Sequence, residues 1–278
     1  MTAPIRTRSW LFTPATRPER FAKASQAGAD VAILDLEDAV APGDKARART
    51  TALDYLTRNP SDGALHALRI NGLDTRAGIS DLDALLGSTA APDFLVLPKT
   101  ETAGHLEILD RLLTAAGKAT RLIGLIESAR GLAAVEAIAT GTPRLAGLML
   151  GAADMAADLG ATVAWEPLAF VRCRLIGACA LAGVMPLDSP FFDLHDEPGL
   201  KQEVARAVAL GFPAKAAIHP TQIGTINAAF TPSAEAVERA RKILAENIKG
   251  VGTVDGQMVD EAVARKARRT LFSAGLEA

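Results

Sequence analysis

DVAILDLEDAV, residues 30–40, is an aliphatic run that ends in a cluster of acids, Asp35, Glu37 and Asp38. A run that is apolar almost throughout is what a strand covered on both faces requires. Seven more such runs appear along the chain: SWLFTPA (9–15), ALHALRIN (64–71), DFLVLPKT (93–100), RLIGLIES (121–128), LAGLMLGAAD (145–154), GVMPLDSP (183–190) and AKAAIHPT (214–221). Their last residues include Asp35, Glu37, Asp38, Arg69, Lys99, Glu127, Asp154, Asp188 and His219. Amphipathic segments such as PERFAKASQAG, DKARARTTALDYLTR and AGHLEILDRLLTAAG lie between them, with Gly or Pro nearby. That alternation predicts a parallel sheet with crossover helices.

Eight strands favour closure into an α/β (β/α)8 TIM barrel, whose chemistry sits at the C-terminal ends of its strands. An open doubly wound sheet is the alternative, but no GxGxxG turn follows the first strand. The barrel is expected over residues 1–230. Residues 231–278 exceed what a minimal barrel needs: a helical stretch with Pro232 near its start and Gly250 at its end, a Gly-containing turn, and a basic final helix. They form a C-terminal helical extension.

At 278 residues and 49% hydrophobic, the chain can bury one large core. Thirty basic and 32 acidic residues leave a net charge of −2, which gives no support for a nucleic-acid partner. MTAPIRTRSWLF lacks the long apolar stretch of a signal peptide, and no run approaches a membrane span, so a cytoplasmic protein with no membrane partner is expected. Cys173 and Cys179 lack metal-ligand spacing and are expected to be buried thiols.

Glu127 and Asp154 end the fifth and sixth runs, so adjacent strands would set two carboxylates side by side at the barrel mouth. Two acidic oxygen ligands with room for water and a chelating substrate suit Mg2+; the absence of a compatible His and Cys cluster argues against zinc. Helix caps or strand-end salt bridges are the plainer alternative. Strand alternation points Asp35 and Glu37 to one face and Asp38 to the other. Glu37 and Asp38 are then placed to hold metal-bound waters or to orient Arg and Lys side chains, unless they cap the helix starting near Gly43. Arg69 suits a carboxylate or developing oxyanion, or else pairs with an acid in the core. Lys99 either pairs with the second-strand acids or forms a Schiff base. Arg17, Arg20, Lys23 and Lys45 are candidates for phosphate binding, with a solvated helix face as the alternative. His219 is expected to be a structural, hydrogen-bonded histidine, and Met155, Pro190, Phe191 and Phe192 to line a pocket.

The series LFTPATRPERFAKA, LDLEDAV, RIN, LPKT, IES followed by Gly131, GAADMAADLG, IHPTQI and DGQMVDEAVARKARR resembles the citrate lyase β subunit and its stand-alone relatives, the HpcH/HpaI aldolase and CoA-ester lyase superfamily. The resemblance runs over nearly the whole chain, in order. It implies a (β/α)8 barrel, homotrimeric or hexameric assembly, and Mg2+-dependent cleavage or formation of a carbon–carbon bond beside a CoA thioester of malyl-, citramalyl- or citryl type, with a small keto acid (oxaloacetate, pyruvate or glyoxylate) as product. It implies further that Glu127 and Asp154 are metal ligands and that Arg69 contacts the substrate's carboxylate and carbonyl oxygens. Asp260 is implied as an acid/base reaching a neighbouring subunit, with the tail as its lid. Many relatives read Gly-Ala-Glu-Asp where this chain has Ala153, a departure that bears on substrate preference. The basic residues Arg17, Arg20, Lys23 and Lys45 and the DGQMVD tail favour a thioester over a pyruvate-type aldolase without CoA; a lyase subunit acting on a carrier-protein thioester stands as a further alternative.

Overall fold

The computed structural model describes residues 7–58, 63–248 and 252–276. Two compact units divide the chain, Arg8–Ile226 and a second from Asn227 onward. In the first, eight parallel strands close into a barrel: β1 Ser9–Pro14, β2 Val31–Asp35, β3 Leu65–Arg69, β4 Phe94–Leu97, β5 Arg121–Ile126, β6 Leu145–Leu150, β7 Met185–Asp188 and β8 Ala214–Ala217. Each pairs with its successor, and β8 closes on β1 through Trp10 opposite Ala216. Every one of the eight runs read from the sequence contains its strand.

Helices cover the barrel, among them Lys45–Thr57, Arg76–Gly87, Ala103–Ala115, Trp165–Ala182 and Glu197–Leu210. Their starts and stops follow local chemistry. Thr75 caps the second through its side chain, and Pro198 occupies the first turn of the last, where no N–H is needed. Trp165–Ala182 ends at Gly183, whose φ of 68° is the left-handed conformation that terminates helices.

The sequence's alternation of period two sorts the strand residues into layers. Trp10, Val31, Ile33, Ala67, Phe94, Val96, Ile123, Leu125, Met149, Leu187, Ala214 and Ala216 form one buried cluster filling the barrel. Their neighbours Ala32, Leu34, Leu68, Leu95 and Leu148 are fully buried on the opposite, helix-covered side. Burial of both faces is the reason these strands read as continuous apolar runs.

The sixth run extends to Asp154 in the sequence, but β6 stops at Leu150 and a helix, Ala152–Leu159, begins at once. Asp154 therefore occupies the first turn of that helix. Gly151, with ψ of 84°, makes the break.

In the second unit, helices Ala234–Asn247 and Glu261–Ser273 pack around Ala240, Ala267 and Leu271. Between them, β9 Gly252–Val254 and β10 Gln257–Val259 form a hairpin. Asp255 and Gly256 turn it, both at positive φ, as a two-residue hairpin loop demands. Gly250, expected to end the first helix, lies outside the described residues.

Candidate active site

The inward register decides which polar residues reach the barrel mouth. Ile33, Ala67 and Leu125 point into the barrel, so two residues on, at the C-terminal ends of the same strands, Asp35, Arg69 and Glu127 point inward as well. All three are buried. The same rule removes Asp188 from the mouth: Leu187 faces inward, so Asp188 faces the helices. There it pairs with Lys215 at 2.7 Å and with Arg172 at 2.8 Å. Its place on the rim is a correction to the sequence reading, and alternation accounts for it.

Arg69 is clamped by acids. Its Nε donates to Asp35 Oδ1 at 2.7 Å and its Nη2 to Asp35 Oδ2 at 2.6 Å, a bidentate pair. Nη1 lies 2.7 Å from Glu37 Oε2, a charge contact in which that oxygen gains no aligned hydrogen bond. Nη1 also lies 3.5 Å from Asp38 Oδ2, and the Phe12 ring sits 4.8 Å from the guanidinium carbon. All three acids of LDLEDAV thus reach one guanidinium. The separation expected from alternation fails because the strand ends at Asp35 and the chain turns. Asp35 shapes that turn by accepting from the Glu37 backbone N–H at 2.9 Å. Neither Glu37 nor Asp38 caps the helix Lys45–Thr57, which starts after a 3-10 turn and has no side-chain cap.

Lys99 joins this cluster to the two predicted metal ligands. Its Nζ donates to Glu37 Oε1 at 2.7 Å and stands 3.7 Å from Asp154 Oδ2. Its backbone N–H donates to Glu127 Oε1 at 2.7 Å. Burial opposes the charge on this ammonium, but the bond to Glu37 and the fields of Glu37, Glu127 and Asp38 outweigh it and hold the pKa above its ordinary value. That favours the ion pair over the Schiff base, which needs a neutral amine.

Glu127 is in the opposite situation. Burial, reinforced by the charge of Glu37, pushes its carboxyl up to about 8 against a weaker opposing pull from the Lys99 N–H and ammonium. Burial also raises Glu37, with Arg69 and Lys99 pulling the other way. A buried carboxyl with one hydrogen bond and acidic neighbours is short of positive charge, and a divalent cation supplies it. Among the described residues no group of three or more His, Cys, Asp or Glu is gathered tightly enough to make a complete protein cage. Two carboxylates and solvent-accessible space match Mg2+, which keeps several waters and takes the remaining ligands from substrate. The donor set fits the ion. Gly151 contributes by its size, since a Cβ there would stand 2.5 Å from Glu127 Oε2.

The other predicted residues fall elsewhere. Arg17, Arg20 and Lys23 are exposed around the first turn after β1. Lys45 differs from them: its Nζ donates to the carbonyls of Leu36 at 2.8 Å and Glu37 at 2.6 Å, stapling the acidic loop. His219 caps a short 3-10 turn, and its Nδ1 lies 2.9 Å from Thr221 Oγ1, a structural role as expected. Asp260 belongs to the second unit, where its Oδ1 accepts from the Val263 N–H at 2.9 Å as the N-cap of the last helix. Pro190, Phe191 and Phe192 line a cavity of roughly 220 Å3 with Ala152, Leu168 and Arg172, whereas Met155 is fully buried and off that wall. Of the two thiols expected to be buried, Cys179 is, and burial pushes it up to about 12; Cys173 is exposed, one helix position away from the buried face.

Two supporting residues escaped the sequence reading. Asn71 donates to the Leu36 carbonyl at 3.0 Å and to Asp81 at 2.6 Å, and Asp81 in turn binds Arg49 at 2.7 Å. They hold the acidic loop from behind. The only signal was a polar residue, Asn71, closing the run ALHALRIN two positions beyond the end of β3.

The sequence matches the HpcH/HpaI aldolase/citrate lyase family over residues 8–220. It is 37% identical to the L-malyl-CoA/beta-methylmalyl-CoA lyase of Rhodobacter capsulatus, covering 95% of this chain and 94% of that protein. It is 39% identical to a citrate lyase subunit beta-like protein of Mycobacterium tuberculosis, covering 96% and 95%. Among solved structures, RipC from Yersinia pestis shares 58% identity over 84% of this chain and 99% of its own, with a TM-score of 0.75. CitE from M. tuberculosis in complex with magnesium, acetoacetate and coenzyme A shares 37% identity over 97% and 98%, with a TM-score of 0.81. Barrel, motifs and relatives agree, and the chain belongs to the HpcH/HpaI aldolase/citrate lyase family.

Proposed function

We propose that this protein is a Mg2+-dependent carbon–carbon lyase that cleaves or forms a 3-hydroxyacyl-CoA of malyl, citramalyl or citryl type, giving a small keto acid and an acyl-CoA. The observation that carries this reading is Glu127: a buried, charge-starved carboxyl beside Asp154 and Lys99 at the mouth of the barrel. Its relatives support it, being named as CoA-ester lyases or crystallised with magnesium and keto acids.

Glu127 and Asp154 would hold the ion. Bound there, Mg2+ supplies Lewis-acid polarisation of substrate oxygens. Arg69 presents a fixed cation toward the substrate's carboxylate and the charge that develops on its carbonyl oxygen, and Asp35 keeps the guanidinium plane from rotating. Glu37, bridging Arg69 and Lys99, keeps the two cations in register, and Asp38 adds a more exposed negative charge to the same group. Asp260 delivers or removes the proton at the carbon of the thioester enolate, reaching the site of a neighbouring subunit in a trimer or hexamer, with residues 231–278 as the lid that excludes water. The exposed Arg17, Arg20 and Lys23 meet the CoA phosphates; Lys45 supports this region through the loop it staples. No helix among the described residues is long and apolar enough to cross a membrane.

The test is direct. Purified protein with Mg2+ is given malyl-CoA, citramalyl-CoA and citryl-CoA, and keto acid release is followed. Turnover that requires Mg2+ and disappears in Glu127→Ala and Asp154→Ala is expected. Absence of turnover on every CoA ester, with condensation of pyruvate and free aldehydes instead, refutes the CoA reading.

A further inference from the structure

Lys99 touches every carboxylate of the candidate metal site, each by a different means. Its backbone is in the left-handed region, φ 50°, one of two such non-glycine residues among those described. That conformation turns the N–H onto Glu127 Oε1 at 2.7 Å. The side chain then runs the other way, donating to Glu37 Oε1 at 2.7 Å and standing 3.7 Å from Asp154 Oδ2 without a hydrogen bond. Glu127 is therefore positioned by the backbone, Glu37 by a bond from the ammonium, and Asp154 only by its field. Left-handed φ suits glycine or asparagine better than lysine. The backbone bond to Glu127 needs no side chain, so the ammonium has a separate role.

We propose that Lys99 is a positioning residue whose ammonium sets the metal affinity of the site, holding the bare divalent cation weakly and allowing firm binding once a keto acid adds its own negative charge. The inference rests on the lyase reading above. Two protein carboxylates attract the ion, and a fixed positive charge beside Asp154 repels it through the same Coulomb law. An anionic ligand cancels that repulsion. Metal and keto acid then strengthen one another's binding by the same factor, since coupling between two ligands is reciprocal.

The experiment uses the full chain, stripped of metal by chelator and titrated calorimetrically with Mg2+, alone and in saturating pyruvate. The variants are Lys99→Met, Lys99→Gly and Lys99→Arg; a side chain that is about half exposed tolerates all three. Lys99→Met should bind bare Mg2+ about tenfold more tightly than the parent, and the tightening produced by pyruvate should shrink by a similar factor. Lys99→Gly, which adopts φ 50° freely and keeps the N–H to Glu127, should repeat that result. Lys99→Arg should stay within about twofold of the parent. Bare-ion affinity unchanged or weakened in Lys99→Met, with a parent-like circular dichroism spectrum, overturns the inference alone. A parent chain that takes up no Mg2+ under either condition overturns the metal reading of the proposed function along with it.

Discussion

Glu127→Gln should remove a pH dependence of stability that the parent protein shows in chelator. In the folded chain burial pushes the Glu127 carboxyl up to about 8, against an ordinary value of 4.5 that the unfolded chain retains. Between those values the unfolded state has released a proton that the folded state still holds. Stability is thus present in full below about pH 4.5, is lost progressively as pH rises, and has gone once pH passes about 8. The gap is about 3.5 pH units, and at about 1.4 kcal/mol each it amounts to roughly 5 kcal/mol. The residue is 5% exposed, so solvent screening takes little from that figure. Urea denaturation in EDTA at pH 5 and pH 8.5, for the parent and for Glu127→Gln, measures it. The parent should lose several kcal/mol relative to the variant across that range, and saturating Mg2+ at pH 8.5 should restore most of it, because the ion binds only the folded site. Parallel pH profiles for the two proteins in EDTA would refute the argument that Glu127 is buried short of positive charge.

Four other outcomes follow from the same structure. Asp35→Ala strands the buried Arg69 guanidinium on its two remaining acids and should cost about 3 kcal/mol in urea denaturation, with Asp35→Glu recovering part of it. Gly151→Ala drives a methyl group into Glu127 and should weaken Mg2+ binding at least tenfold in calorimetry while the circular dichroism spectrum is kept. Asp260→Asn retains an N-cap acceptor for the Val263 N–H, so its thermal midpoint should stay near the parent's while turnover falls at least a hundredfold; full turnover would remove Asp260 from the proton transfer. In native protein a maleimide should label Cys173 within minutes, and Cys179 only after unfolding, as mass spectrometry of the peptides will show.

Much of this protein was legible before any coordinate. The eight runs located the strands because a strand covered on both faces is apolar almost throughout, and charged residues such as Asp35, Arg69 and Glu127 stand at or just beyond the ends of those strands. Arg69 and Glu127 stood out for that reason. Asp188 shows the limit of the rule: it ends a run in the same way, yet its parity sends it to the helices and into a pair with Lys215. Parity was available in the sequence, but its phase becomes certain only when Leu187 is seen inside the barrel. The end of β6 was missed because Gly151, Ala152 and Ala153 continue the run without a charge as far as Asp154, and a helix begins there after a single glycine.

The sequence by itself determined the order of strands and helices, the closed barrel they imply, and the residue types that supply oxygen ligands and cations, since these depend on periodicity and local propensity. Only the tertiary structure decided how those charges are shared. Asp35, Glu37 and Asp38 converge on Arg69 across 34, 32 and 31 positions of sequence, and Lys99 meets Glu37 across 62. Such pairings are fixed by the closure and register of the barrel, which set distances between strands that no local pattern encodes. The pKa of Glu127, raised by a burial that exists only when the barrel is closed, is decided at the same level.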